Sequence, residues 1–379
     1  MRIVLGSYMF RYPLGGMLSW VLQYLLGLKD LGHDVYFVEK YGYEGSCFNP
    51  VTNEMSDDCT YGVNVVSSLL SRFGFEKRWC FVEKGDIYHG LSKKQIEGVF
   101  ATADVFIDMG THGSWAEEAV RAHKRVWIDG EPGFTQIKLA NLLDEGRSPV
   151  SYDYYFTNGM NIGVNGNPVP TSGIRWGHLF HPVKTALFNN GNGRQGSSYS
   201  TIMNWKSHEP VEYRGITYGQ KNIEFNKFLS LPQHVNAAME IAVSGKDVPV
   251  DELTKNHWRI KEGKKVTISF DSFRDYVRLS RGEFSVCKNV FVATQTGWFS
   301  DKSAAYLASG KPVVLQDTGF SKHIPCGLGV FAVNTQEEAV QAISSIESNY
   351  EKHSRAAKEI ASECFEGAGV MKKFLNDLN

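Results

Sequence analysis

The chain lacks most of the features that would place it quickly. It contains no Cys-x-x-Cys pair, and its six cysteines (Cys47, Cys59, Cys80, Cys287, Cys326 and Cys364) show no repeated spacing. A disulfide framework and a zinc site are therefore both disfavoured, and reduced thiols are expected. An excess of one charge is missing too: 40 Lys+Arg against 41 Asp+Glu leave a net charge of −1. That balance argues against a protein that coats nucleic acid by bulk charge. No apolar run is long enough to cross a bilayer; the richest, residues 17–28, is short and carries Gln23. The opening Met1-Arg2-Ile3-Val4-Leu5-Gly6 reads as a buried strand rather than a secretion signal, so a cytoplasmic location is expected. Short-period repeats and low-complexity tracts are absent.

What is present is an α/β rhythm. The length of 379 residues, with 42% hydrophobic and 21% charged side chains, predicts two globular domains. Residues 3–6 form a β run. A glycine-bearing loop follows over 7–16, a helical pattern over 17–31 ends at Gly32, and a second strand covers 35–38. That order implies a right-handed βαβ crossover and a parallel sheet. Further strands are expected at 105–108, 126–129 and 154–157, with an amphipathic helix over 115–123. Residues 41–59 read as a long surface loop. Residues 163–196 are rich in Asn, Gly and Pro (Asn165-Gly166-Asn167-Pro168, Asn189-Asn190-Gly191-Asn192-Gly193) and read as a linker.

A second α/β series then follows. Strands are expected at 201–204, 235–242, 284–286, 313–315 and 330–332. Helices are expected at 222–229, 250–258, 272–279, 300–309 and 336–347, and the tail over 350–378 breaks at Gly367 and Gly369. The expected division is 1–180, 181–350 and 351–379. Ligands of open parallel sheets sit beyond the carboxyl ends of the strands, so the loops after the strands are where chemistry is sought.

The most informative stretch runs Gly297-Trp298-Phe299-Ser300-Asp301-Lys302-Ser303, through one helix, into Ser309-Gly310-Lys311-Pro312-Val313-Val314 and then Asp317-Thr318-Gly319. A helix start offers free N–H groups to an anion, although Ser300 or Asp301 could also serve only as an N-cap. The whole unit resembles the donor half of GT-B glycosyltransferases: a glycine loop, a helix, a small-Gly-x-Pro-Val-Val turn and strand, and an Asp-x-Gly loop. Upstream, Glu283-Phe284-Ser285-Val286-Cys287-Lys288 is similar to the preceding strand and its ligand-facing end.

That resemblance implies two Rossmann-like domains with parallel sheets facing a cleft, and a C-terminal helix crossing back to the first domain. It implies a nucleotide-sugar co-substrate, UDP-sugar by family default, and no other cofactor. The donor would be held by Glu283, Lys288, Gly297, Ser300, Asp301, Lys302, Ser303, Asp317, Thr318 and Gly319. Gly15-Gly16 looks like the glycine loop opposite the donor; it is not Gly-x-Gly-x-x-Gly, which disfavours an NAD-binding domain.

The Glu-x7-Glu of retaining enzymes is missing, since Gly297 and Ala305 occupy the corresponding places, and this favours inversion. Inversion needs a general base. Glu131 and Asp129, in Ile128-Asp129-Gly130-Glu131, rank above His112 in Gly110-Thr111-His112-Gly113. No Asp-x-Asp stands in a suitable loop, so metal-independent transfer to a hydroxyl-bearing acceptor (small molecule, glycan or modified DNA base) is expected. A DNA acceptor would draw on Arg11, Lys124, Arg125, Lys138 and Arg147. A nucleotide-sugar epimerase and a non-catalytic nucleotide-sugar-binding protein are the rival readings.

Overall fold

The computed structural model describes residues 1–189, 196–206 and 209–378. In the first lobe, β1 (Arg2–Gly6) runs through a loop into α1 (Gly15–Asp30), then β2 (Asp34–Lys40), β3 (Trp79–Glu83), β4 (Ile87–Gly90), β5 (Val105–Asp108), β6 (Lys124–Asp129), α2 (Phe134–Asp144), β7 (Tyr154–Thr157) and β8 (Trp176–His178). The sheet order is β8-β7-β6-β5-β1-β2-β3-β4, parallel except for the hairpin of β3 and β4. Ile3, Val4 and Leu5 are all fully buried, as expected where a parallel sheet is covered on both faces.

The second lobe contains β9 (Ser198–Asn204), β10 (Ala238–Ser244), β11 (Arg259–Glu262), α3 (Phe270–Arg278), β12 (Gly282–Ser285), α4 (Asp301–Ala308), β13 (Val313–Gln316) and β14 (Val330–Val333). Its order, β11-β10-β9-β12-β13-β14, is entirely parallel and is the doubly wound Rossmann arrangement. In both sheets the strand order reverses beside the first strand, so the crevices at β1/β5 and β9/β12 are where ligands of such sheets bind. One apolar cluster runs from Leu18 and Leu22 on α1 through Phe273 on α3 to Ala304 and Tyr306 on α4, joining the lobes.

The tail returns to the first lobe. After α5 (Tyr350–Ile360) comes a wide π turn over Ala361–Phe365, and α6 (Gly367–Asn376) then lies against α1. The contact is close because Gly27 faces Gly367: a Cβ on Gly27 would stand 2.8 Å from the Gly367 carbonyl oxygen. Phe156 of β7 packs edge-on against Phe374 at 4.9 Å.

Several expectations need correction. Cys47 and Cys59 are joined by a disulfide, so the six thiols are not all free. The supposed loop over 41–59 contains a two-stranded ribbon, Cys47–Asn49 with Glu54–Ser56, and it is this ribbon that brings two cysteines 12 residues apart together. The expected linker is partly sheet: β8 pairs with β7, because Trp176 supplies a buried aromatic on an edge strand. Residues 190–195 of that stretch lie outside the described residues. The helix expected over 115–123 shrinks to Ala116–Ala119. β3, β4 and β11 were not foreseen, and the tail breaks before Gly367 rather than at the glycines.

Candidate active site

Three acids near the carboxyl ends of first-lobe strands fold back to build the loops there. Glu39, fully buried, accepts from the backbone N–H of Met9 (2.6 Å), Phe10 (2.7 Å) and Arg11 (3.1 Å) and from Arg11 Nε (3.0 Å). Asp108 accepts from the N–H of Gly110 and Thr111, from Thr111 Oγ1 and from Tyr152 Oη. Asp129 accepts from Glu131 N, Gln136 Nε2 and Thr157 Oγ1, each at 2.8 Å; burial raises its pKa above the ordinary carboxylate value. Asp129 is therefore a buried loop anchor. It is not an open base. His112 is exposed, with φ +53° on the loop that Asp108 organises.

Glu131 is different. Its backbone is fixed by Asp129, while its side chain reaches over the crevice and its Oε2 meets Lys288 Nζ at 2.5 Å. Lys288 follows β12 and is buried, with Nζ over the rings of Phe291 (5.7 Å) and Phe134 (6.0 Å). The structure thus brings together a base candidate of one lobe and a donor-binding candidate of the other. The field of Glu131 also reaches Tyr8, His181 and Lys221. Burial first, then Glu131, pushes the Tyr8 phenol up to about 12.

The remaining donor candidates divide into two groups. Lys302 Nζ sits 2.7 Å from Glu283 Oε1 and donates to Ser285 Oγ (2.9 Å) and Thr201 Oγ1 (3.1 Å), all of them buried. Ser300 Oγ caps α4 by accepting from Lys302 N at 3.2 Å, and Ser303 is buried in the first turn. Asp301 stands at the mouth of α4, close enough to Tyr24 of α1 to shift it, and burial raises its own pKa. The helix opening therefore lies at the seam between the lobes.

Gly297, Thr318 and Gly319 form the other group, a backbone seam with the first lobe. Asn161 N donates to Thr296 O at 2.9 Å and Gly297 N to Thr318 O at 2.7 Å. Gly297 (φ +77°) and Gly319 (φ +88°) have no room for a Cβ against Asn161. Asp317 turns back on its own loop, accepting from Gly319 N and Ser321 Oγ. Gly15 is likewise a packing glycine: its N–H donates to Thr267 O, and a Cβ would stand 2.2 Å from Ser269 O, whereas Gly16 faces open space.

Two further residues were not legible beforehand. Lys221 opens a short helix, Lys221–Phe225, which is pinned below the ends of β12 and β13. Buried Glu224 of that helix accepts from Asn289 Nδ2 (2.7 Å) and Gln316 Nε2, and Gly219 N donates to Asn289 Oδ1 (3.0 Å). Among the described residues no carboxylate lies within ion-pair distance of Lys221. Burial, followed by the fields of Lys302 and Lys288, lowers its pKa to about 8.

His181, which follows β8, is almost fully buried. Its Nδ1 accepts from Trp20 Nε1 (3.2 Å) and contacts Tyr24 Oη (3.2 Å), which leaves the proton on Nε2; that atom has no protein hydrogen-bond partner. The ring of Trp298 stands 4.8 Å away, and burial lowers the pKa of His181 to about 3. No pattern of spacing marks either residue, because the helix of Lys221 is held by the Glu224–Asn289 bond and His181 by its bonds to Trp20 and Tyr24.

The basic residues named for a DNA acceptor are mostly engaged. Arg11 pairs with Glu39, Arg125 with Asp153 and Arg147 with Glu145; Lys124 bonds the Leu378 carbonyl oxygen, and Lys138 lies over Phe134 at 4.4 Å. Among the described residues, no helix is long and apolar enough to cross a membrane.

No family model and no curated protein matches the chain. Solved structures do. Anabaena Alr3699/HepE, crystallised with UDP and glucose, has a TM-score of 0.58 at 10% identity, covering 100% of this chain and 99% of that one. An alpha-glucosyltransferase in complex with UDP and a mismatched 13-mer DNA gives 0.59 at 9% identity, with coverage of 100% and 98%. AviGT4, a glycosyltransferase involved in avilamycin A biosynthesis, gives 0.54 at 13% identity, with coverage of 99% and 96%. The chain therefore has the GT-B fold over its whole length.

Proposed function

We propose that the protein is a glycosyltransferase that moves a sugar, a hexose by preference, from a UDP-sugar to a hydroxyl of a small molecule or glycan. The observation that carries this reading is the Lys288–Glu131 contact between the lobes, with Lys221 close enough to feel the charges of Lys302, Lys288 and Glu131. Fixed cations and helix N–H groups stabilise a departing diphosphate best when they are already in place. Glu131 is the base: it takes the proton of the acceptor hydroxyl while that oxygen bonds the anomeric carbon. The electron pair of the breaking carbon–oxygen bond leaves on the diphosphate, and the configuration inverts. Lysines rather than a divalent cation carry the leaving-group charge in this reading, so turnover should withstand EDTA.

Lys302 and Glu283 support this site from beneath, and Asp301, Ser300 and Ser303 shape the helix mouth. Half-buried Tyr8, Tyr12 and Trp20 line the first-lobe side; Tyr8 lies 6.1 Å from Tyr12 and 6.3 Å from Trp20, ring to ring. These aromatic faces and the engaged arginines favour a neutral acceptor over DNA. Calorimetry with UDP and UDP-sugars, followed by NMR of the product's anomeric configuration, tests the proposal. No binding by any nucleotide sugar removes the donor site, and a retained configuration removes Glu131 as base.

A further inference from the structure

The Lys288–Glu131 contact couples the two halves of the proposed reaction, and this inference rests on the donor reading above. Lys288 is 7% exposed, and Glu131 is the carboxylate on its ammonium. The Glu131 side chain is 42% exposed, while its backbone is held by Asp129. The carboxylate can therefore swing out by rotation about its own bonds, leaving the loop in place. Lys288 cannot lose its counter-charge so easily, because an unpaired buried ammonium is costly. It will give up one carboxylate only for another anion.

We propose that Lys288 and Glu131 form an exchange latch: the donor diphosphate displaces Glu131 from Lys288, and only then is the Glu131 carboxylate free to act on an acceptor hydroxyl. A half-exposed ion pair contributes little, whereas a diphosphate brings more than one charge to the same ammonium and to Lys221 beside it. The exchange is therefore downhill once the donor is present. In the donor-free protein the carboxylate is occupied, so binding runs donor first. Glu131 then competes with the donor for Lys288, a cost that the ground state carries and the reaction uses.

Titration calorimetry of the full chain with UDP tests this, using wild type, Glu131→Gln, Lys288→Met and the double variant, with melting curves to establish that each is folded. Removing the competing carboxylate should tighten UDP about fivefold, a modest ion-pair competition. Lys288→Met should weaken UDP about tenfold, and in that background Glu131→Gln should give no gain, because the coupling runs through one ammonium. A Glu131→Gln protein that binds UDP no more tightly than wild type overturns the latch, as does a gain that persists without Lys288. If wild type binds neither UDP nor pyrophosphate, the donor reading falls and the latch with it. UDP binding without the Lys288-dependent gain removes the latch alone.

Discussion

The two lobes share a strand order but equip their facing edges in opposite ways. In the first lobe, Glu39, Asp108 and Asp129 all turn inward onto loop N–H groups, while the Glu131 carboxylate reaches out to Lys288 of the other lobe. In the second lobe the corresponding edge carries lysines, and one of them, Lys221, has no carboxylate within ion-pair distance among the described residues. A parallel sheet delivers loops to the same end whatever their sequence. The lobes therefore differ in what their charges meet: the first lobe's buried acids meet loop N–H groups, while Lys288 and Lys302 of the second lobe meet carboxylates.

The largest expected effect breaks that contrast at its centre. Lys288→Ala should lower kcat by about 10²–10³-fold, the usual scale for losing one preorganised electrostatic contact, with little change in Tm. Steady-state UDP release measures it. An equal loss of stability would make Lys288 an architectural residue like its first-lobe counterparts.

Lys302 provides the reverse test. Its pairing with Glu283 makes it the second lobe's internal tie, so Lys302→Ala leaves a buried carboxylate uncompensated and should cost about 3 kcal/mol in urea denaturation. Were Lys302 instead a phosphate contact, stability would hold and UDP affinity alone would fall.

Much of this fold could be read from the chain, and the reasons are local. Strands β1, β5 and β13 are short runs buried on both faces between glycine or polar turns, which the sequence pattern reveals directly. Strand β11, with the mostly exposed Arg259-Ile260-Lys261-Glu262, has no such pattern and exists because β10 templates it. The site was legible to the extent that the Ser300 helix start and Glu131 are strand-end or cap features. Lys221 and His181 were not, because their positions are set by Glu224–Asn289 and Trp20–His181 hydrogen bonds between residues 65 and 161 positions apart. The chain also gave no sign that Lys302 would be paired with Glu283, 19 residues earlier.

A smaller effect sharpens the picture of the first lobe as a stapled surface. The Cys47–Cys59 disulfide closes a short loop, and reducing it should cost about 2–3 kcal/mol. Tyr43, just before that loop, contacts Tyr12 Oη through its own hydroxyl at 2.9 Å, so the reduced protein should show a raised acceptor KM with UDP affinity unchanged. A change in UDP affinity would mean that the rim of the first lobe also governs the donor.

The smallest effect isolates Lys221, whose pKa of about 8 lies well below the usual lysine value because the group is desolvated among other cations. Below pH 8 it is protonated with or without ligand, and UDP affinity should be flat. Above pH 8 the free protein has lost a proton that an anion requires it to take back, so affinity should fall by up to about tenfold per pH unit. Stability moves in the opposite direction. From about pH 8 to the ordinary lysine range the unfolded chain holds a proton that the folded chain has released, so unfolding free energy rises with pH. Lys311, also lowered to about 8 by burial and by Arg281, adds to the stability slope; it lies on the Gly310 turn beside Lys358, away from the crevice. Lys221→Arg keeps its charge throughout and should flatten the affinity profile between pH 7 and 9 while leaving the Lys311 share of the stability slope intact. The same control absorbs any titration of the nucleotide itself, so a slope that survives Lys221→Arg would show that the decisive proton belongs to another group.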